Sequence, residues 1–442
     1  MKDYCIVGAG PAGIFAALHL ARAGKSVIII DKGNPIDKRI CHKGSENSEC
    51  KCNPCNILSG FGGAGGKSDG KLIFSAQSGC DLYEYADEKT INECISEVKR
   101  QFIEWSGVTP IVESSQAKET LAYNCLKYGM KLTTFNEMHI GSDKMVNTMK
   151  NAEEELKSLG VEMLYNQNAL CYDQIHYHTN AKNIVYAVGR CGFKVIDYEI
   201  IAKHVTGTHR PIDMGVRLET LDEITKPLTD IQYCFKISSQ YGDYNVRSYC
   251  VNPRGFVVNE RHDGFNLVNG HACANKKSKN CNFAILVKMA LTKPCSNTTE
   301  YAKGIAKLFD ILGGGSPIVQ RLEDFRNRKR TNTYRLNLSN VKRTFKNCIP
   351  GDIHLGFHHP ITSAIEDYLS RLDHLAPGIN DGNNALLYAP EIKFQALKLD
   401  VDKNFESKIA KGYYFIGDGA GLSGSIVSAA VTGMLMAKAA TT

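Results

Sequence analysis

The stretch Tyr4-Cys5-Ile6-Val7-Gly8-Ala9-Gly10-Pro11-Ala12-Gly13-Ile14 decides the fold of this chain. Tyr4–Val7 is a short apolar run that reads as a buried strand, and a glycine-rich turn follows it at once. Residues 14–23 have helical character and end at Gly24; Val27–Ile30 is a second apolar strand, closed by Asp31 and the adjoining Lys32. Strand, turn, helix and strand within about thirty residues form the unit that builds a parallel sheet. In the turn, Gly8 permits the tight bend, Gly10 lets the backbone approach a pyrophosphate, and Gly13 lets helix and strand pack closely. Pro11 and Ala12 open the helix, whose unpaired N–H groups suit phosphate. Asp31 is placed to accept from a ribose hydroxyl, which argues against a 2′-phosphate. A glycine pattern in this context, between strand and helix, indicates a bound dinucleotide.

The other end of the chain names the dinucleotide. Residues 413–427 read Tyr-Tyr-Phe-Ile-Gly-Asp-Gly-Ala-Gly-Leu-Ser-Gly-Ser-Ile-Val. A strand delivers Gly417 and Asp418 to a second glycine turn, and Gly424 and Ile426 open a helix of small residues. In flavoproteins with such a paired arrangement the second helix start faces the pyrophosphate–ribityl region, so the expected cofactor is FAD. Gly189, behind the apolar run Asn183–Ala187, matches a third flavoprotein signature. Gly62-Gly63-Ala64-Gly65 lies where a loop reaches the isoalloxazine ring, with backbone N–H groups as preorganised donors; a flexible loop is the alternative. The fold class expected is α/β: a three-layer FAD-binding Rossmann-like domain of the glutathione-reductase type with an inserted mixed α+β substrate lobe. Residues 1–80, 140–200 and 400–442 make the FAD domain, 81–139 a helical insertion, and 201–399 the substrate or cap domain.

Composition agrees. A chain of 442 residues exceeds one ordinary core, since single cores stop growing at roughly 250–300 residues. The net charge of +7 is spread along the chain, with no basic run carrying interleaved aromatics, which excludes a nucleic-acid partner. Sixteen cysteines without the rhythm of a small secreted domain imply a reducing cytoplasm. Residues 4–23 and 419–440 are apolar, but Asp3 and the glycines spoil a signal peptide, and the second run is mostly small residues. No integral membrane association is expected.

Cys41, Cys50, Cys52 and Cys55 do not read as ordinary core thiols. Their spacing suits an iron–sulfur cluster or Zn²⁺; a Cys52/Cys55 redox pair and plain loop residues are the alternatives. On the substrate side the candidates are Lys71, Arg217, Cys250, Glu391 and Lys393, with His358 and His359 behind them. Lys71 could pair with reduced flavin, Arg217 could anchor a carboxylate, Glu391 or a histidine could move protons, and Lys393 could hold an anion. Each could equally serve a core salt bridge or strand-end packing.

Longer blocks resemble a known family. Cys52-Asn53-Pro54-Cys55 runs into Ser59-Gly60-Phe61-Gly62-Gly63-Ala64-Gly65 and Ser68-Asp69-Gly70-Lys71-Leu72. Asp213-Met214-Gly215-Val216-Arg217-Leu218-Glu219, Cys250-Val251-Asn252-Pro253, Val268-Asn269-Gly270, Pro350-Gly351-Asp352 and Leu387-Tyr388-Ala389-Pro390-Glu391-Ile392-Lys393-Phe394 follow. Over nearly its whole length the chain resembles the uncharacterised FAD-dependent dehydrogenases, distant relatives of geranylgeranyl reductases. It departs from them at Phe357-His358-His359 and Ser423-Gly424-Ser425. The resemblance implies the cofactor and leaves the reaction open; the chemistry expected is hydride transfer between an organic substrate and flavin N5. Two alternatives are a C=C reductase of the geranylgeranyl-reductase type and an electron-transfer flavoprotein relaying through the cysteines to a carrier protein. With no second dinucleotide motif, NAD(P)H would act only as a transient co-substrate.

Overall fold

The computed structural model describes residues 1–40, 53–76, 82–110, 115–168, 175, 179–189, 205–262, 264–273, 275–289, 291 and 295–441. The chain divides into two compact units, one of Met1–Ile111, Phe135–Arg210 and Gln395–Thr442, the other of Val112–Thr134 and Pro211–Phe394.

The first unit is built on a five-stranded parallel sheet in the order Tyr413–Phe415, Asn183–Tyr186, Tyr4–Val7, Val27–Ile30, Glu162–Leu164. Tyr4–Val7 and Val27–Ile30 are buried at every position, as strands covered on both faces must be. Helix Pro11–Arg22 follows the first strand and Ile426–Thr441 the last, and these two helices pack on one another. Contact is close because a Cβ on Gly433 would lie 2.1 Å from the Ala12 carbonyl oxygen. The three-layer α/β FAD-binding class expected from the sequence is the class observed.

Segment 81–139, read as one helical insertion, is shared between the units. Helix Glu88–Ser106 presents Ile91, Ile95, Val98, Phe102 and Trp105 along one buried stripe. Phe102 and Trp105 meet Phe15 at ring-centroid distances of 5.8 and 5.4 Å, which fixes this helix in the first unit. Helix Ser115–Lys127 belongs to the second. The long loop expected at 33–80 contains a short strand, Lys71–Phe74, paired antiparallel with Asn136–His139. Its partner is remote in sequence, so four alternating residues gave no local signal.

The second unit carries an eight-stranded sheet in the order Ile349–Pro350, Ile318–Arg321, Ala385–Lys393, Ile212–Leu221, Asn280–Met289, Tyr244–Asn252, Lys236–Tyr241, Met130–Thr133. Met214, Val216, Leu218, Val246, Ile285 and Ile237 join one apolar core with residues of helices Thr298–Leu312 and His359–Leu372. Alternate residues point to the opposite face, where Asp213, Arg217, Glu391 and Lys393 stand. A hairpin, Phe256–His262 with Phe265–His271, completes the unit. Among the described residues no helix is long and apolar enough to cross a membrane.

Candidate functional site

In the first unit the glycines sort into two kinds. Gly8 has φ +109°, and a Cβ there would lie 2.4 Å from the Ala187 carbonyl oxygen; one on Gly13 would lie 2.1 Å from that of Gly8. These glycines allow backbone to touch backbone. Among the described residues nothing lies within 4 Å of a Cβ on Gly189, and only the Gly63 Cα approaches one on Gly10, at 3.9 Å. Gly10 caps helix Pro11–Arg22 with no side-chain hydrogen bond and no acid in the first turn. An anion is favoured at such a helix start.

The separate segments converge here. The Gly62 N–H donates to the Ala9 carbonyl oxygen at 2.7 Å. A Cβ on Gly65 would sit 3.2 Å from Ile426 and 3.3 Å from Pro11, and one on Gly419 would sit 2.7 Å from the Gly189 carbonyl oxygen. The Gly417 N–H donates to Thr432 Oγ1, and Ser423 Oγ donates to Asp418 Oδ1 at 3.4 Å. Gly424 and Ile426 border the start of the last helix, where the Ser425 hydroxyl accepts from the Ser428 N–H. Ala64 opens the short turn Gly65–Lys67, and Lys32 is half-buried beside Asp31. Gly8, Gly10, Pro11, Gly62, Gly63, Gly65, Gly189, Gly417 and Gly419 thus form one cradle at the start of helix Pro11–Arg22.

Asp31, expected to accept from a ribose hydroxyl, accepts from the chain itself in the structure. Its carboxylate accepts from the backbone N–H of Ala9 at 2.8 Å, Gly33 at 2.7 Å and Gly60 at 2.9 Å. The short Asp side chain at the strand end ties the first glycine turn to the glycine-rich loop.

Arg39, which the sequence reading missed, works on the same loop. Its buried guanidinium donates to the carbonyl oxygens of Asn56, Phe61 and Ile57 at 3.0, 2.5 and 2.7 Å. Burial pushes the group down to about 10, against the pull of Asp31. An isolated arginine beside a cysteine-rich loop carries no sequence motif. Lys71 pairs with Asp69 at 3.0 Å, with both side chains largely buried. Burial pushes the Asp69 carboxyl up, but Lys71 and His139 outweigh it and hold the group below its usual range.

The second unit gathers the other candidates. Arg217 and Glu391 are both fully buried. Arg217 Nε and Nη2 each donate to Glu391 at 2.7 Å, Nη1 donates to Asn282 Oδ1 and the Cys250 carbonyl oxygen, and Nη2 to Asn269 Oδ1. The guanidinium expected to anchor a substrate carboxylate is committed to Glu391, because two buried charges are tolerable only when paired. Lys393 sits 2.9 Å from Glu391 Oε1 with its side chain 16% exposed. Gly270 makes room for this centre: a Cβ there would lie 2.1 Å from Asn282 Oδ1 and 2.4 Å from Arg217 Nη1. Cys250 is half-buried with φ +50°. His358 and His359 are elsewhere: His358 caps helix His359–Leu372, and His359 Nδ1 lies 2.6 Å from Ser363 Oγ.

Cys41, Cys50 and Cys52 lie outside the described residues, and Cys55 within them. Among the described residues no group of three or more His, Cys, Asp or Glu could hold a metal ion.

The comparisons follow this division. Residues 3–39 match the family of FAD dependent oxidoreductases, and residues 214–393 match the family described as FAD-dependent protein, C-terminal domain-like. The fold, the cradle and these matches define an FAD-dependent oxidoreductase. An uncharacterized protein of Clostridium beijerinckii is 27% identical over 98% of this chain and 79% of its own. Among solved structures, glycine oxidase from Geobacillus kaustophilus is 12% identical, with a TM-score of 0.38 over 99% of this chain and 94% of that one. L-proline dehydrogenase from P. horikoshii is 10% identical, with a TM-score of 0.37 over 99% and 92%. Neither family match concerns geranylgeranyl reductases.

Proposed function

We propose that the protein is a cytoplasmic dehydrogenase or reductase of a small organic substrate. FAD, when bound, would supply a two-electron acceptor or donor at its N5, through which hydride would pass. The observation that carries this reading is the cradle: chain segments far apart in sequence bring open glycine turns together at the start of an uncapped helix. There the first-turn N–H groups of helix Pro11–Arg22 would hold the pyrophosphate. Asp31 and Arg39 would fix the Gly60–Gly66 loop, so that its backbone donors stay in place and need no reorganisation. Sixteen cysteines without the rhythm of a small secreted domain support a reducing compartment.

The test is the anaerobic absorption spectrum of the purified protein during reductive titration, with iron and zinc quantified per flavin. Flavin bands bleaching in one two-electron step are expected. A colourless protein that cannot be reconstituted with FAD overturns the flavin assignment. Reduction in two separate one-electron steps, with stoichiometric iron that is lost in Cys52→Ser/Cys55→Ser, favours the electron relay instead.

A further inference from the structure

The net charge of +7, expected to be spread along the chain, is gathered in one segment of the second unit. Residues 321–348 carry nine lysines and arginines against two carboxylates, Glu323 and Asp324, an excess equal to that of the whole chain. Three of the nine are paired. Arg321 and Arg335 meet Asp324 at 3.2 and 3.9 Å, and Arg328 meets Glu366. The other six, Arg326, Lys329, Arg330, Lys342, Arg343 and Lys346, form no ion pair among the described residues. Arg326 donates to the Asn380 carbonyl oxygen and Arg343 to Cys348 Sγ, both neutral acceptors. Carboxylates that reach the segment from elsewhere are Glu366, the fully buried Glu219, which accepts from the Thr344 hydroxyl, Asp352, which accepts from the His354 N–H, and Asp381, which accepts from the Asn383 N–H. These four and the segment's own two still leave its nine cations in excess.

Folding draws the segment together around a short helix, Thr333–Leu336. Arg335 Nη1 donates to the Arg330 carbonyl oxygen at 2.7 Å, and the Lys329 N–H donates to that of Asp324. Leu336, Val341 and Cys348 share one small core, with Phe345 packed against it, which sets Lys342, Arg343 and Lys346 beside the same helix. Hydrogen bonds from the Asn337 N–H to the Thr333 carbonyl oxygen and from the Leu338 N–H to that of Arg335 continue its turn. Tyr334 and Leu338, four residues apart, therefore stand one above the other, while Leu336 enters the core. Tyr334 is 74% exposed and Leu338 47%. The surface thus offers an apolar pair set among cations. A nucleic acid would satisfy the cations and could stack on the tyrosine, but it offers nothing to a leucine. A protein interface depletes lysine and gathers its apolar anchors into a desolvated centre; here lysines flank an isolated pair. An anionic lipid surface suits both features, since headgroups attract the cations and the apolar pair enters the boundary between headgroups and acyl chains.

We propose that this surface, Tyr334 and Leu338 among Arg326, Lys329, Arg330, Lys342 and Lys346, docks the protein peripherally on an anionic lipid membrane. The inference is independent of the oxidoreductase reading. It is tested by flotation of the purified full chain with vesicles of mixed phosphatidylglycerol and phosphatidylcholine, and with vesicles of phosphatidylcholine alone. Wild type should bind the anionic vesicles, bind the neutral ones far less, and be released as salt rises and screens the exposed charges. Lys329→Gln/Arg330→Gln/Lys342→Gln/Lys346→Gln, at exposed positions, should lose at least about tenfold in partitioning. The same charge removed at exposed lysines elsewhere, in Lys89→Gln/Lys144→Gln/Lys150→Gln/Lys307→Gln, should cost less than about threefold. Should the first variant fold poorly by its melting curve, Lys342→Gln/Lys346→Gln is read in its place for a loss of about threefold. Tyr334→Ser/Leu338→Ser keeps every charge; it should lose about threefold or more on the vesicles and elute from heparin, a polyanion without acyl chains, at the wild-type salt concentration. Equal losses on removing charge from the segment and from elsewhere overturn the proposal, as does undiminished vesicle binding in Tyr334→Ser/Leu338→Ser. A wild type that ignores the anionic vesicles overturns it too, whether or not it binds a DNA duplex or an acidic protein instead.

Discussion

Gly10 and Gly13 show one residue type serving two ends. A methyl group on Gly13 would collide with the Gly8 carbonyl oxygen at 2.1 Å, whereas one on Gly10 would meet only the Gly63 Cα among the described residues, at 3.9 Å. Gly13→Ala should therefore destabilise the fold by about 1–3 kcal/mol or more, through overpacking against backbone. Gly10→Val should leave the melting temperature of the cofactor-free protein near wild type while abolishing FAD retention, measured as flavin per protein after gel filtration. If the two variants behave alike in both measurements, the division of the glycines is wrong. His19 gives a second prediction at this scale. Burial, with Arg22 adding to it, pushes its imidazole down to about 4 from an ordinary 6.5. Between those values the unfolded chain binds a proton that the folded one refuses, so stability falls as pH drops through that window. His19→Gln removes that titration and should flatten the decline in melting temperature from pH 6.5 to 4. Coincident declines in variant and wild type would clear His19 of the effect.

At the scale of elements, the glycine-rich loop is held by side chains outside it. Arg39 donates to the carbonyl oxygen of Phe61 and to those of Asn56 and Ile57 just before the loop, and Asp31 accepts from Gly60. Arg39→Met should fill similar space but free those carbonyls, weakening FAD affinity about tenfold or more while the parallel sheet persists. Arg39→Lys should recover little of this, because an ammonium cannot spread its donors over three carbonyls as a planar fork does. Flavin fluorescence titration of the cofactor-free protein reads both variants; affinity unchanged in Arg39→Met would show that the loop holds itself.

At the scale of the whole molecule, the first unit depends on chain segments from both ends. Tyr413–Phe415 pairs with Asn183–Tyr186, and helix Ile426–Thr441 packs on helix Pro11–Arg22. A chain ending at Phe394 should lose FAD and the cooperative melting of the first unit while keeping both segments of the second. Retention of flavin by that truncated chain, measured by absorbance, would contradict the discontinuous cradle.

The sequence alone determined the parallel unit at the N-terminus, the return of the chain at Tyr413–Gly419, and the type of cofactor. Those signals are local: apolar strands four residues long, with glycines where backbone must approach backbone or phosphate. What Asp31, Arg39, Arg217 and Glu391 do was decided only by tertiary structure. A carboxylate or a guanidinium can serve a ligand or the chain itself, and the choice depends on which groups folding brings within hydrogen-bond reach. For Arg217 that group is Glu391, 174 residues away. For Asp31 it is the backbone N–H groups of Ala9 and Gly60, from two glycine-rich segments, and of the nearby Gly33. The pair of Arg247 and Asp213 was hidden for the same reason: the two residues lie on separate strands, and only the sheet brings them together.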